Sequence, residues 1–223
     1  MDTAQLDFDF AWFGADWDGA TLSVASLTPL REINEELLQL LAGTAARDGT
    51  AADDARGALV QLLRPLDDAA RERLAQWPYA LVEAGFHDSL RWGRLLDGGA
   101  GDLARSGAAW LASGERSNRF ARMVLNYAWH LARSRPLAAR VVFGMSAESV
   151  LNLRSVGIAR LERAALASVS ALRPRWPGRL DWWRQAAHAA GSADPQLLSR
   201  AKLNGLQMLA GDLLASGTAG MLR

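Results

Sequence analysis

The sequence predicts an all-α fold: a multi-helix bundle with a helix-turn-helix-like segment, and a short β-hairpin or an extended arm at its N-terminus. Three observations lead there. From residue 28 onward apolar residues recur at helical spacing, Asp, Ser, Thr, Gly and Pro punctuate them where caps and breaks belong, and half of the 223 residues are hydrophobic. That content is enough for a sizeable core.

Strand character is confined to the first 27 residues. Leu6, Phe8, Phe10 and Trp12 alternate with Asp7, Asp9 and Ala11, and Asp18-Gly19 is a turn signal before Thr21–Val24. Thr28-Pro29 then reads as an N-cap and N1 pair for a helix carrying Leu30, Ile33, Leu37, Leu38 and Leu41 up to Gly43. Residues 45–54 read as a polar loop, and a second helix spans about 54–64. A third starts at Asp67-Asp68 and carries Leu74, Trp77, Leu81 and Val82, kinked at Pro78 and ended by Gly85. Residues 88–96 form a fourth. Further helices are expected at about 102–112, 117–134, 136–143, 147–155, 158–171, 179–190 and 195–215. The last bears seven leucines on a broad apolar face, for core packing or a dimer seam. Leu96-Asp97-Gly98-Gly99-Ala100-Gly101 is the most linker-like stretch, which divides the chain into an acidic helical region, 1–97, and a basic helical domain, 102–223.

Charge changes sign at the same place. Residues 1–100 hold 17 Asp/Glu against 8 Arg, a net of −9, whereas residues 101–223 hold 17 Arg/Lys against 7 Asp/Glu, a net of +10. Of the 25 basic residues only Lys202 is lysine. Concentrated positive charge displaces counterions from phosphates, so this asymmetry favours a binding module over an enzyme. It also suits docking of one half on the other.

Other function classes lose ground on composition. There is no cysteine, hence no disulfide or thiolate site. No run of 18 apolar residues is present and MDTAQLDFDF lacks a basic n-region, so neither a membrane span nor a secretory signal is expected and the cytoplasm is the expected location. His87, His130 and His188 are far apart, without ligands at metal spacing. Gly98–Gly101 lacks the Lys-Ser/Thr ending of a phosphate loop, and Asp53-Asp54 and Asp67-Asp68 fall at helix starts, where Asp caps. No catalytic, metal, cofactor or small-molecule site is therefore expected.

The strongest motif is Ala138–Leu153. Ala138 and Ala139 are small enough for two helices to cross, Gly144 suits a tight turn, Ser146 can cap a second helix, and Phe143, Met145, Val150 and Leu153 share a core-facing side. Arg140 stands where a small residue normally allows close approach. This helix-turn-helix-like segment, 136–155, lies in a stretch, 116–184, with 13 Arg against three acidic residues. Candidate DNA contacts are Arg140, Ser146, Ser149, Asn152 and Arg154 near the second helix, with Arg173 and Arg175 on phosphate. Trp176, Trp182 and Trp183, interleaved with arginines, suit either base stacking or core anchoring.

The order Leu125-Asn126-Tyr127, Leu131-Ala132-Arg133, Ala138-Ala139, Gly144-Met145-Ser146, Glu148, Ser155, Ala159, Leu161, Ala165, then Arg173, Arg175 and Trp176, resembles the flagellar transcriptional activator FlhD family over roughly 120–178. The resemblance implies an all-helical, dimeric regulator that works with a partner subunit, FlhC, and assembly into a regulator more than direct base reading. Residues 1–110 have no counterpart in that family. The expected function is thus a transcriptional regulator or regulator subunit associated with DNA. Its rival is a non-enzymatic helical adaptor of a bacterial secretion or motility apparatus, with a protein partner or a homo-oligomer.

Overall fold

A computed structural model describes residues 24–48, 55–98 and 110–221. In chain order it contains α1 (Val24–Asp48), α2 (Ala55–Leu63), α3 (Asp68–Ala75), β1 (Val82–Glu83), α4 (Ser89–Leu96), α5 (Glu115–Ser134), α6 (Pro136–Phe143), α7 (Ala147–Arg154), α8 (Ile158–Ser168), β2 (Arg173–Pro174), α9 (Leu180–Ser192) and α10 (Pro195–Met221). The protein is all-α, a multi-helix fold, with one antiparallel pair of two-residue strands, Val82 opposite Pro174 and Glu83 opposite Arg173. The alternating segment Leu6–Trp12 and the Asp18-Gly19 turn lie outside the described residues, as do residues 49–54 and most of the expected helix 102–112.

Helix α5 is central. Phe120, Ala121, Val124, Leu125, Ala128, Leu131 and Ala132 are buried on more than one of its faces, because α1 packs on one flank and α6, α7 and α8 on others. Helix α9 joins α2, α3 and α10 around Trp182 and Trp183. One hydrophobic cluster takes in Leu30, Leu59, Leu74, Trp92, Phe120, Val142, Leu161 and Trp183, so the acidic and basic stretches share a single core. The sequence boundary near residue 98 is a change of charge within that core, not a gap in packing.

Two elements depart from the sequence reading. Helix α1 begins at Val24, so Pro29 is inside it rather than at N1; the missing N–H there removes one i→i−4 bond. Helix α3 ends at Ala75 instead of running through Pro78 to Val82. Trp77 precedes a proline and is disfavoured from helical backbone, and the chain from Tyr79 instead extends into β1. Asn34 makes that possible. Fully buried on α1, it donates through Nδ2 to the Ala75 carbonyl (3.2 Å) and the Tyr79 carbonyl (3.1 Å), and accepts from the Leu81 N–H (2.8 Å). A single amide thereby satisfies three backbone groups that leave helical bonding where α3 stops.

At the C-terminal side, Ala193 in the left-handed region (φ 55°) reverses the chain, and Asp194 caps α10 by accepting from the Gln196 N–H (2.7 Å). Gly205 on α10 sits on the Tyr79 hydroxyl, where any Cβ would overlap the phenol oxygen. The helix is thus seated by a side chain from the acidic stretch.

Asn34→Leu should lower stability by about 3 kcal/mol, the cost of leaving buried backbone groups without partners. Urea denaturation followed by circular dichroism checks this; a midpoint unchanged from the parent would remove Asn34 from its structural role.

Candidate functional site

The helix-turn-helix-like segment forms with the expected local geometry. Helix α6 opens with Pro136 at its N-terminus and ends at Gly144, whose φ of 65° is left-handed. Ser146 caps α7, accepting from the Ser149 N–H at 3.0 Å. Phe143, Met145, Val150 and Leu153 are all buried. Phe143 meets Phe86 and Tyr127 edge-on, each at 5.9 Å between ring centroids.

The space beneath the turn is filled by Arg175. Its side chain is 4% exposed; Nε donates to the Ala80 carbonyl (2.7 Å) and Nη2 to the Val82 and Val142 carbonyls (3.4 Å each). A Cβ on Gly144 would come within 2.8 Å of Nη1. Glycine is therefore required twice here, for its φ and for the guanidinium against it. Burial pushes the Arg175 guanidinium down to about 10, opposed by the charges of Glu83 and Asp212, so it remains a cation at neutral pH. The Ser146 N–H also bonds the Phe86 carbonyl (3.3 Å), and the Ala80 N–H the Val142 carbonyl (2.9 Å). The turn is thus bolted to the segment around β1.

This placement corrects the phosphate assignment of Arg175, which is spent inside the fold. Arg173 is held in a two-pronged bond to Glu83 (3.2 and 3.1 Å) across the strand pair. Ser149 is buried with its hydroxyl 2.9 Å from that of Ser146, so it cannot touch a base. Asn152 faces α4, donating to the Ser89 carbonyl at 3.4 Å, with Gly93 beside it. Arg140 is half-buried, its Nε enclosed without a hydrogen-bond partner among the described residues. Ser146 is occupied as a cap. Of the seven candidates only Arg154 is openly exposed. Base stacking by Trp182 and Trp183 is likewise excluded by their burial, and Trp176 donates to Asp212 at 2.7 Å.

Six of the thirteen arginines of 116–184, Arg173 among them, are paired with carboxylates of the chain, whereas Arg154, Arg163 and Arg184 are exposed with no carboxylate in ion-pair distance among the described residues. Arg116 and Arg119 reach Glu36 at 2.6 and 3.6 Å, Arg122 reaches Glu162 (3.1 Å), Arg160 reaches Asp97 (3.8 Å) and Arg179 reaches Asp181 (3.5 Å). Hydrogen bonding from Arg116 holds the Glu36 carboxyl below its ordinary range. Several of these links join the acidic stretch to the basic one.

What sequence reasoning missed is the partner of α7. Helix α4 lies along it: Ser89 donates to Glu148 (2.5 Å), and a groove of about 220 Å³ between α4, α7 and α8 is lined by Gly93, Leu96, Asn152, Ser155, Val156 and Arg160. Gly93 is opposite Asn152, but a Cβ there would meet it at an ordinary 3.7 Å, so the sequence carries no signal for this pairing. Large apolar side chains stand open on the same stretches: Leu90 (55% exposed), Leu151 (59%) and Ile158 (66%). Among the described residues no group of three or more His, Asp or Glu is placed to hold a metal. No protein-family model, curated protein or solved structure matches the chain.

Gly144→Ala should cost about 3 kcal/mol, strain plus overpacking, falling to about 1 kcal/mol in an Arg175→Met background where the clash is gone; a double-mutant cycle in urea measures the coupling. Glu36, with its folded pKa depressed, contributes stability that is present above the unfolded value and lost as pH falls through the folded one. Parent protein should therefore lose more stability than Glu36→Gln on acidification from pH 6 to pH 3, read from thermal midpoints.

Proposed function

We propose that the chain is a non-enzymatic helical subunit of a transcription-regulating assembly, joined to its partners through protein contacts at the α4–α7–α8 face. The observation that carries this reading is the orientation of α7. Of its polar candidates Ser149 is buried and Asn152 is turned to α4, whereas Arg154 is open to solvent together with Leu151, and Glu148 is exposed while bonded to Ser89. A mixed face of apolar and charged side chains suits a protein surface better than base edges, which call for convergent donors and acceptors. Leu90 on α4 and Ile158 on α8 are further exposed apolar side chains of these helices.

The resemblance of residues 120–178 to the FlhD family supports regulation as the setting, and in that family assembly with a partner subunit is central. The pairing of Arg116, Arg119, Arg122, Arg160, Arg173 and Arg179 and the burial of Arg175 reduce, without removing, the cationic surface that duplex DNA would meet. The reading agrees with the adaptor alternative on mechanism, protein contact, and differs in where the assembly acts.

Two measurements test it. In a strain lacking the chain, transcript levels should shift, and be restored by the parent and by Arg154→Ala but not by Leu151→Arg. An unchanged transcript profile would reject the regulatory setting. Gel shift with random duplex at low salt and micromolar protein should show no complex; a complex abolished by Arg154→Ala would return the function to direct DNA binding.

A further inference from the structure

We infer that the chain binds an aliphatic carboxylate in the cavity between α1, α2 and the turn into α3. The cavity measures about 230 Å³ and has an apolar floor. Leu38, Leu41 and Ala42 stand at i, i+3 and i+4 on α1, so a single face of that helix turns all three to it. Val60 and Leu63 share a face of α2 in the same way, and Leu66 joins them from the turn that follows.

The polar part of the lining is cationic. Arg64, one helical turn beyond Val60, and Arg71, on α3, line the same cavity as the leucines. Residues 1–100 carry 17 Asp/Glu and only 8 Arg, yet two of those arginines meet here and no carboxylate lines the space. Other arginines of that stretch are held. Arg31 reaches Glu35 and Glu72 at 2.9 and 2.8 Å, and Arg73 donates to the Ala190 carbonyl at 2.6 Å. Arg71 has Asp68 at 3.3 Å, whereas the exposed side chain of Arg64 has no hydrogen bond or ion pair among the described residues. Like charges gathered at one apolar cavity disfavour each other, and an anion placed there is attracted by both.

Floor and rim together specify the occupant. Leucine and valine side chains call for a hydrocarbon body, and guanidinium forks call for an oxyanion. Two arginines less the one charge of Asp68 leave a single positive charge, which a monoanionic carboxylate balances. A dry apolar cavity of about 150 Å³ takes up the six carbons of benzene, so this one has room for a chain of about six to nine carbons. The inference rests on this cavity alone. It neither needs nor bears on the α4–α7–α8 face, so either reading can fail without the other.

The test titrates the full chain, labelled with nitrogen-15, with butanoate, hexanoate, octanoate and dodecanoate below their micelle concentrations. Octanoate should shift the amide signals of residues 38–42 and 60–66 saturably. Affinity should rise about fourfold per methylene up to octanoate, from about 0.8 kcal/mol for each one buried, and level off by dodecanoate once the cavity is full. Octan-1-ol, the same body without the charge, should bind at least tenfold more weakly. Arg64→Gln, at an exposed position, should weaken octanoate at least fivefold and leave octan-1-ol unchanged. Ala42→Phe, also exposed, should fill the cavity and abolish binding of both. No saturable shift at these residues would overturn the inference. Octan-1-ol bound as tightly as octanoate, an affinity still climbing at dodecanoate, or indifference to either substitution would do the same. Shifts centred instead on the exposed leucines of α4 and α7 would reject this cavity as the site.

Discussion

Everything at the junction of the two charge-opposed stretches depends on one buried cation. Moving a guanidinium out of water is costly, and among the described residues Arg175 has no carboxylate in direct contact to offset that. Its compensation is geometric: three backbone carbonyls, from Ala80, Val82 and Val142, converge on the planar fork. The arrangement requires β1 to pair with β2, the α6–α7 turn to carry no side chain at Gly144, and α3 to end early enough for the chain to reach Ala80 in extended form. Asn34 supplies that last condition from α1. A small set of polar groups thus fixes how helices held by non-directional apolar contact are placed relative to one another.

The sign change in charge along the chain gains a physical reading from this. Glu36 meets Arg116 and Arg119, Glu83 meets Arg173, and Asp97 meets Arg160, so part of the complementary charge is consumed between the chain's own segments. Most of these pairs are at least partly exposed and individually weak. Their effect is less on stability than on which segments face each other. What remains outside combines exposed cations, Arg154, Arg163 and Arg184 among them, with uncovered leucine and isoleucine side chains.

Much of the helical architecture was legible because local signals and tertiary packing agree. Helix α6 and the cap at Ser146 fall where Pro136, Gly144 and Ser146 place them, and α4 starts at Asp88 as its capping chemistry requires. The α3 boundary was not legible. Leu81 and Val82 are apolar at helical spacing from Leu74 and Trp77, and only the long-range bonds of Asn34 and Arg175 make them extended. A polar residue at position 34, amid Leu30, Ile33, Leu37 and Leu41, was the visible clue. The site was read least well. Composition shows that arginines cluster in the sequence between 116 and 184, but not that Glu36, Glu83 and Asp97 come back to meet them. Nor does it show that α4 covers one side of α7.

Four of the nine indoles are gathered in one place. Trp77 meets Trp182 at 5.4 Å, Trp182 meets Trp176 at 4.8 Å and Trp183 at 4.9 Å, and Tyr79 touches both Trp77 and Trp176. Chromophores this close, at near-perpendicular angles, couple their electronic transitions. The array borrows members from either side of the charge divide and lies under Gly205, so the molecule has a built-in optical gauge of whether its last helix is in place.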